Sequence, residues 1–110
     1  MIGALRHALR LQTAHRAPDG GGGWHLVWQD AASNPVIYAA IETAGGGEVL
    51  RQHQRVPAIS HRLRIRYRID VVPGMRLVDA TGAAAYEIVS LHDARGDARW
   101  LEISALKKPL

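Results

Sequence analysis

The 110-residue sequence contains no cysteine and no phenylalanine. The lack of cysteine excludes a disulfide scaffold, a thiolate zinc site and a cysteine nucleophile. With three tryptophans and three tyrosines as its aromatic residues, the chain must build its core mainly from Ile, Val, Leu and Ala. No apolar run approaches the roughly 20 residues of a membrane-spanning helix, and the N-terminus lacks the apolar stretch of a secretory signal. We therefore expect one soluble domain over residues 1–110.

Lysine is also scarce, because only two of the 14 cationic residues are Lys and the others are Arg. Against ten Asp and Glu, the formal net charge is +4. The planar guanidinium of Arg suits phosphates and carboxylates, so this balance is compatible with nucleic acid or with acidic faces of other proteins. Many small domains carry a similar charge on an ordinary solvated surface. The charge alone therefore does not select a partner.

The sequence also lacks a catalytic or metal-binding pattern. Metal ligands are usually closely spaced, and the six histidines are scattered along the chain: His7, His15, His25, His53, His61 and His92. Ser60 and His61 are neighbours, and in an extended strand neighbouring side chains are expected on opposite faces. We predict a protein that is not an enzyme, with no metal and no cofactor.

The strongest periodic signal lies in residues 60–70, where apolar residues alternate with arginines. The pattern predicts a half-buried strand. Its core face would hold Leu63, Ile65, Tyr67 and Ile69. Its other face would carry a cationic row, which we call the Arg row: Arg62, Arg64, Arg66 and Arg68. Such a row repels itself, so an anionic partner is expected in the same sheet, in a neighbouring subunit or in DNA, with a plain solvated surface as the alternative.

Other segments also favour β-structure. Residues 36–43, 75–79, 85–91 and 99–106 predict strands, residues 6–14 fit a strand or a short helix, and residues 48–55 are left unassigned. We expect the last four strands in the chain, which are the Arg-row strand and the strands at 75–79, 85–91 and 99–106, to form an antiparallel meander. Trp100 is expected in the core and residues 107–109 as a tail. About six strands in total predict an all-β fold, a small antiparallel β-barrel or sandwich.

A long glycine-rich loop is predicted after the first strand, over residues 17–35. Four successive glycines cannot easily hold regular structure, and loops of this length are usually functional or disordered. The loop would be either a passive connector or a segment that moves past other chains, and its tryptophans would anchor on the domain or on a partner. Its candidate functional residues are Asp19, Gly20, Gly21, Gly22, Gly23, Trp24, His25 and Trp28.

The order of these features resembles the phage head-tail joining proteins, also called head completion or stopper proteins, of siphophages and gene transfer agents. The matching pieces span almost the whole chain: residues 3–7, 10–12, 19–22, Trp28, 36–41, 47–48, 63–67, 75–77, 86–89 and 101–103. Two features depart from the family pattern. Tyr38 stands where the family usually has Trp, and the segment of residues 24–34 is longer than is typical.

The resemblance implies a structural component of the virion neck, present in the bacterial cytoplasm before assembly. It implies a homo-oligomeric ring, with a hexamer favoured and a dodecamer possible. An adaptor or portal-side protein would lie above the ring, a tail terminator or tail tube protein below it, and packaged double-stranded DNA in its channel, with no membrane contact. Residues 17–35 would form the channel or gating loop. The alternative is a small barrel that binds nucleic acid without sequence preference.

Overall fold

The computed structural model describes residues 5–31, 34–44, 50–51, 54–55 and 59–109, and the described part is entirely strands, turns and irregular segments. The strands are β1 (His7–Pro18), β2 (Trp24–Asp30), β3 (Val36–Thr43), β4 (Leu50–Arg51), β5 (Gln54–Arg55), β6 (His61–Arg66), β7 (Arg76–Asp79), β8 (Ala84–Asp93) and β9 (Trp100–Pro109). The predicted all-β class is confirmed. None of the described residues forms a helix long and apolar enough to cross a membrane.

Seven of these strands form one antiparallel sheet in the order β2-β1-β3-β6-β9-β8-β7. The sheet closes on itself because β1 also pairs with β7, with Leu11 opposite Leu77. Within the described residues, strands β4 and β5 pair with each other as a short antiparallel pair, and they are the described part of residues 48–55. The remainder of that segment and the glycines at 45–47 lie outside the described residues.

The inside of the closed sheet holds the aliphatic core that the composition predicts. The fully buried large side chains, all at or below 1% exposure, are Leu9, Leu11, Leu63, Ile65, Leu77 and Ile103. They alternate with outward-facing residues along their strands, as the two-residue period of a strand requires. Burial of each of these six side chains contributes about 1.5–3 kcal/mol, so a few of them together match the net stability of a small domain.

The alternating segment of residues 63–69 is a strand only as far as Arg66. Leu63 and Ile65 are in the core as predicted, but Tyr67 is 41% and Ile69 85% exposed, so their predicted core positions are wrong. Strand β9 begins at Trp100, which is the partner of Arg66, so the ladder to β9 ends there. Beyond Arg66 the chain leaves the sheet and turns toward β7.

The predicted four-strand meander is also wrong in part. Strands β7, β8 and β9 follow one another, but β6 lies between β3 and β9 rather than beside β7. Residues 107–109 are not a tail, since β9 continues to Pro109 and pairs with the start of β8. Trp100 is half-buried on the outer face, because it alternates with the core residue Leu101.

Strand β8 contains a bulge between Ile88 and Ser90. An extra residue in one strand reverses which side chains face inward. Ile88 faces the core before the bulge, whereas Leu91 packs against the core after it and Ser90 is exposed. The bulge therefore lets Ile88 and Leu91, which a regular strand would place on opposite faces, both contact the core.

Candidate interaction surfaces

The predicted long loop is instead a β-hairpin that extends beyond the closed sheet. Strand β1 pairs with β7 only as far as Gln12, whereas its pairing with β2 runs from Gln12 to Pro18. We call residues 13–29, which comprise the two strand ends and their turn, the ribbon. At about 3.4 Å per residue, its strands extend roughly 20 Å from the rim of the sheet. The prediction of a loop over residues 17–35 was therefore wrong, because Trp24–Asp30 is paired strand.

The glycines of the predicted loop form the turn of the ribbon. Gly20 and Gly22 adopt φ angles of 85° and 89°, in the left-handed region that side chains other than glycine disfavour. The Asp19 carboxylate closes the turn by accepting the amide N–H of Gly21 at 2.8 Å and that of Gly23 at 3.0 Å. A Cβ on Gly23 would lie 2.7 Å from that carboxylate. The glycines thus permit a defined turn rather than a floppy connection.

One face of the ribbon exposes large apolar side chains. Residues opposite each other in the hairpin share a face, and Pro18 lies opposite Trp24, Arg16 opposite Leu26, and Ala14 opposite Trp28. Trp24 is 63% and Leu26 60% exposed. We call these two side chains the apolar strip. Their exposure on a projecting element is typical of a surface that another molecule covers.

The base of this face is fixed to the closed sheet. The Arg76 guanidinium on β7 lies 4.3 Å from the centre of the Trp28 ring and donates to Gln12 Oε1 at 2.9 Å. Gln12 in turn donates to Asp30 at 3.1 Å, and Asp30 also pairs with Arg10. These contacts hold the pKa of Asp30 below its usual value, the Arg10 hydrogen bond being the largest cause. Trp28 is therefore an internal anchor, whereas Trp24 at the far end is not covered.

A cleft lies at the rim of the closed sheet, on the opposite face of the ribbon's base. Its volume is about 1000 Å³. It is lined by Thr13, Ala31, Asn34, Tyr67, Arg68, Ile69, Asp70 and Met75. We call it the mouth cleft. Ile69 and Val72 beside it are 85% and 50% exposed, so the chain presents a second apolar surface here.

Arg68 supports the wall of this cleft. It holds Asp70 through two hydrogen bonds of 2.7 and 2.9 Å and donates to the carbonyl oxygen of Asn34 at 2.8 Å. The hydrogen bond from Arg68 holds the pKa of Asp70 below its ordinary value. Arg68 therefore ties residues 68–70 to the segment that precedes β3.

The rest of the Arg row lies on the outer face of β6, as predicted. Arg64 donates to Glu102 at 2.5 Å, which lowers the pKa of Glu102. The Arg66 guanidinium lies 5.2 Å from the centre of the Trp100 ring. Arg62 is exposed and is the cross-strand partner of Glu42. Acidic and aromatic neighbours in the same sheet thus relieve much of the repulsion within the row.

The structure does bring Ser60 and His61 together, contrary to expectation. His61 Nδ1 lies 2.9 Å from Ser60 Oγ because Ser60 precedes β6 and is not part of its alternation. Ser60 Oγ also accepts the backbone N–H of Lys107 at 2.7 Å, which ties β9 to the start of β6. Burial and the nearby Lys107 charge lower the pKa of His61. This arrangement serves strand pairing, and the described residues contain no group of three or more His, Asp or Glu that could hold a metal ion.

A comparison with protein families matches residues 1–108 to the phage head completion proteins. The chain belongs to this family. Among solved structures, it is similar to a chain from the virion of a native gene transfer agent particle, with a TM-score of 0.68 and 19% identity over 98% of this chain and 97% of that one. At this identity the likeness shows the fold. No curated protein sequence matches the chain.

Membership of the head completion family confirms the resemblance inferred from the order of sequence features. It gives the chain a structural role in completing the head, in a family of structural proteins rather than enzymes. The ribbon and the mouth cleft are the surfaces of this family member that sequence reasoning missed. A signal for the ribbon was present, because Trp24, Leu26 and Trp28 alternate with polar or smaller residues in the two-residue period of a strand.

The turn of the ribbon should loosen in acid. Hydrogen bonds from Gly21 and Gly23 lower the pKa of Asp19, so the ionised carboxylate stabilises the folded turn. This stabilisation is present above the ordinary Asp pKa of about 3.9 and is lost as the pH falls through the lower folded value. We expect hydrogen-exchange protection of the Gly21 and Gly23 amides at pH 6, reduced protection below about pH 3, and none in Asp19→Ala at either pH. Asp19→Asn, which keeps an acceptor without a charge, should show no acid dependence; equal protection in all three chains would contradict the role of Asp19.

Proposed function

We propose that this head completion protein is the connector that closes the DNA channel of the filled head and provides the surface to which the tail attaches. In this proposal, copies of the chain form a ring in the neck of the particle, below the portal-side complex. A hexamer is the favoured ring and a dodecamer the alternative. The observation that carries the proposal is the ribbon, an ordered element that extends beyond the closed sheet and exposes Trp24 and Leu26.

The ribbon has the properties that a channel element requires. It is held at its base by Trp28 and Arg76, and its turn is closed by Asp19. It can therefore move as one unit about its base without losing its own hydrogen bonds. The turn of the ribbon, residues 19–23, would reach toward the channel or the next ring, and gating would be a concerted movement of the ribbons rather than the unfolding of a loop.

The Arg row would face either a neighbouring subunit or the packaged DNA. The remaining capacity for phosphate is small, because Arg64 already binds Glu102 and Arg66 lies over Trp100. This favours the connector over a free nucleic-acid-binding protein.

The proposal is tested by producing particles without this chain. We expect heads that package DNA but lose it on storage and carry no tails, and we expect the purified chain to restore DNA retention and tail attachment. The measurements are nuclease-protected DNA and tails counted by electron microscopy. Stable, tailed particles formed without the chain would refute the proposal.

DNA binding by the same purified chain distinguishes the connector from the alternative, a free nucleic-acid-binding protein. A free nucleic-acid-binding protein would bind duplex DNA tightly with a steep dependence on salt. The connector is expected to bind duplex DNA weakly in isolation, because most of the Arg row has partners within the sheet. Tight binding by the isolated chain that weakens steeply with salt would support the alternative.

A further inference from the structure

The chain carries two exposed apolar surfaces. The apolar strip, Trp24 and Leu26, is convex and stands on the projecting ribbon. The mouth cleft is a broad, open depression at the rim of the sheet, and exposed Tyr67 and Ile69 line it. Each surface leaves large apolar side chains in water, so covering them with another apolar surface is favourable.

The two surfaces cannot cover each other within one chain. Leu26 shares a face with Arg16, whereas Thr13, which lines the mouth cleft, belongs to the other face of β1 because successive side chains of a strand alternate. The pairing of β1 with β2 fixes these faces. A partner must therefore come from outside the chain.

We propose that the apolar strip of one copy occupies the mouth cleft of the next copy. A contact between two different surfaces of identical chains repeats head to tail, and it closes into a ring when the rotation between copies allows it. This inference rests on the proposed ring and names the contact that builds it. It leaves the turn of the ribbon, residues 19–23, available to the channel.

Charge favours the same pairing. Arg16 is exposed and lies opposite Leu26, so it enters the contact together with the apolar strip. Asp70 lines the mouth cleft with its side chain 41% exposed. The docked strip would bring the Arg16 guanidinium to the outer side of the Asp70 carboxylate, whose other side Arg68 holds.

The size of the contact indicates where it forms. The two side chains of the strip and the apolar residues around the cleft would bury on the order of 600–1,000 Å² in total, below the roughly 1,200–2,000 Å² of stable interfaces. A single contact of this size is too weak to hold two copies together in dilute solution. We therefore expect a monomer in isolation and a ring only where another ring of the particle aligns the copies and makes the contacts multivalent.

The absence of cysteine allows a clean cross-linking test. Particles are prepared with Leu26→Cys, Ile69→Cys or both substitutions in this chain, treated with a short bismaleimide and separated on a denaturing gel. We expect the double variant to give a ladder that ends at the number of copies in the ring. Each single variant should remain monomeric, and a mixture of the two should stop at dimers.

Control variants distinguish this contact from random collisions and from a two-fold contact between copies. Ser90→Cys, on an exposed position of β8, should not form a ladder when combined with Leu26→Cys. Trp24→Cys with Val72→Cys is a second pair across the same contact, for use if the first pair prevents incorporation. A dimer formed by Leu26→Cys alone would show a two-fold contact and overturn the proposal.

The failure of this inference is distinguishable from failure of the proposed function. Tailed, DNA-filled particles that contain a chain with either cysteine pair but yield no ladder would mean that the ring uses another surface, while the connector role stands. Tailed particles that retain their DNA without this chain would overturn both. A monomeric purified chain whose cross-links appear only in particles is the result we expect.

Discussion

Replacing residues 14–28 by an Asn-Gly turn should give a folded chain that no longer completes particles. The replacement joins Thr13 to Gln29, which face each other in the hairpin, so a two-residue turn can connect them. None of the removed residues is buried in the core, and the closed sheet uses β1 only up to Gln12. We expect cooperative unfolding to persist, with DNA retention and tail attachment reduced to the level of particles that lack the chain.

A matched variant distinguishes the contribution of the apolar strip from that of the ribbon as a whole. Trp24→Ser combined with Leu26→Ser retains the hairpin and its turn but removes the strip. If the strip holds neighbouring copies together, this variant should fail to enter particles, while its thermal unfolding should resemble that of the unsubstituted chain. Normal DNA retention and tails with the shortened chain would exclude the ribbon from head completion.

The ribbon also shows what could be predicted from the sequence and what could not. The strand pattern of residues 24–28 was present, but the four preceding glycines indicated a flexible loop instead. Glycine runs disfavour regular structure on average because they lose much backbone entropy on ordering. Here the Asp19 carboxylate orders the turn by binding two of its amides, a local effect that composition does not reveal.

The positions of strands with local sequence signals were predicted well, but the order of the strands in the sheet was not. Strands β3, β7 and β8 agree with the predicted segments to within a few residues, because their apolar periodicity and bounding turns are local features. The position of β6 between β3 and β9 depends on which distant edges pair, and turn signals carry no such information. The early end of β6 follows from the same cause, since the partner strand β9 begins at Trp100.

The Arg row illustrates a similar limit at the level of the site. Alternation placed Arg62, Arg64 and Arg66 on one face correctly, because the two-residue period is a property of one strand. Their neighbours Glu102 and Trp100 come from β9, whose register against β6 was not predictable. A cationic surface inferred from one strand thus proved to be partly neutralised by the next.

The seam that closes the sheet should be the most sensitive point for folding. Leu11 and Leu77 face each other where β1 meets β7, and both are fully buried. The backbone of Leu11 also holds both ends of the connection between β2 and β3, since its N–H donates to the carbonyl of Pro35 at 2.7 Å and its carbonyl accepts from the N–H of Ala31 at 2.9 Å. The side chain and the backbone of this residue therefore hold the ring of strands together.

Leu11→Ala should reduce the free energy of unfolding by about 2–5 kcal/mol, the usual cost of deleting a buried leucine side chain. For a domain of this size the melting temperature should fall by roughly 10–20 °C. The matched control is Leu26→Ala, the same substitution at an exposed strand position, for which we expect a change within about 1 kcal/mol in the isolated chain. Chemical denaturation of both variants gives the two free energies directly.

A double-mutant cycle then tests whether the seam acts as a unit. Leu77→Ala should cost a similar amount, and the combined variant should lose less than the sum, because each leucine loses contacts that the other substitution has already removed. We expect a coupling energy of about 0.5–3 kcal/mol. Additive costs, or a loss at Leu11 no larger than at Leu26, would mean that the sheet does not depend on the β1–β7 pairing for its closure, and the ribbon would then lack the fixed base from which it is proposed to act.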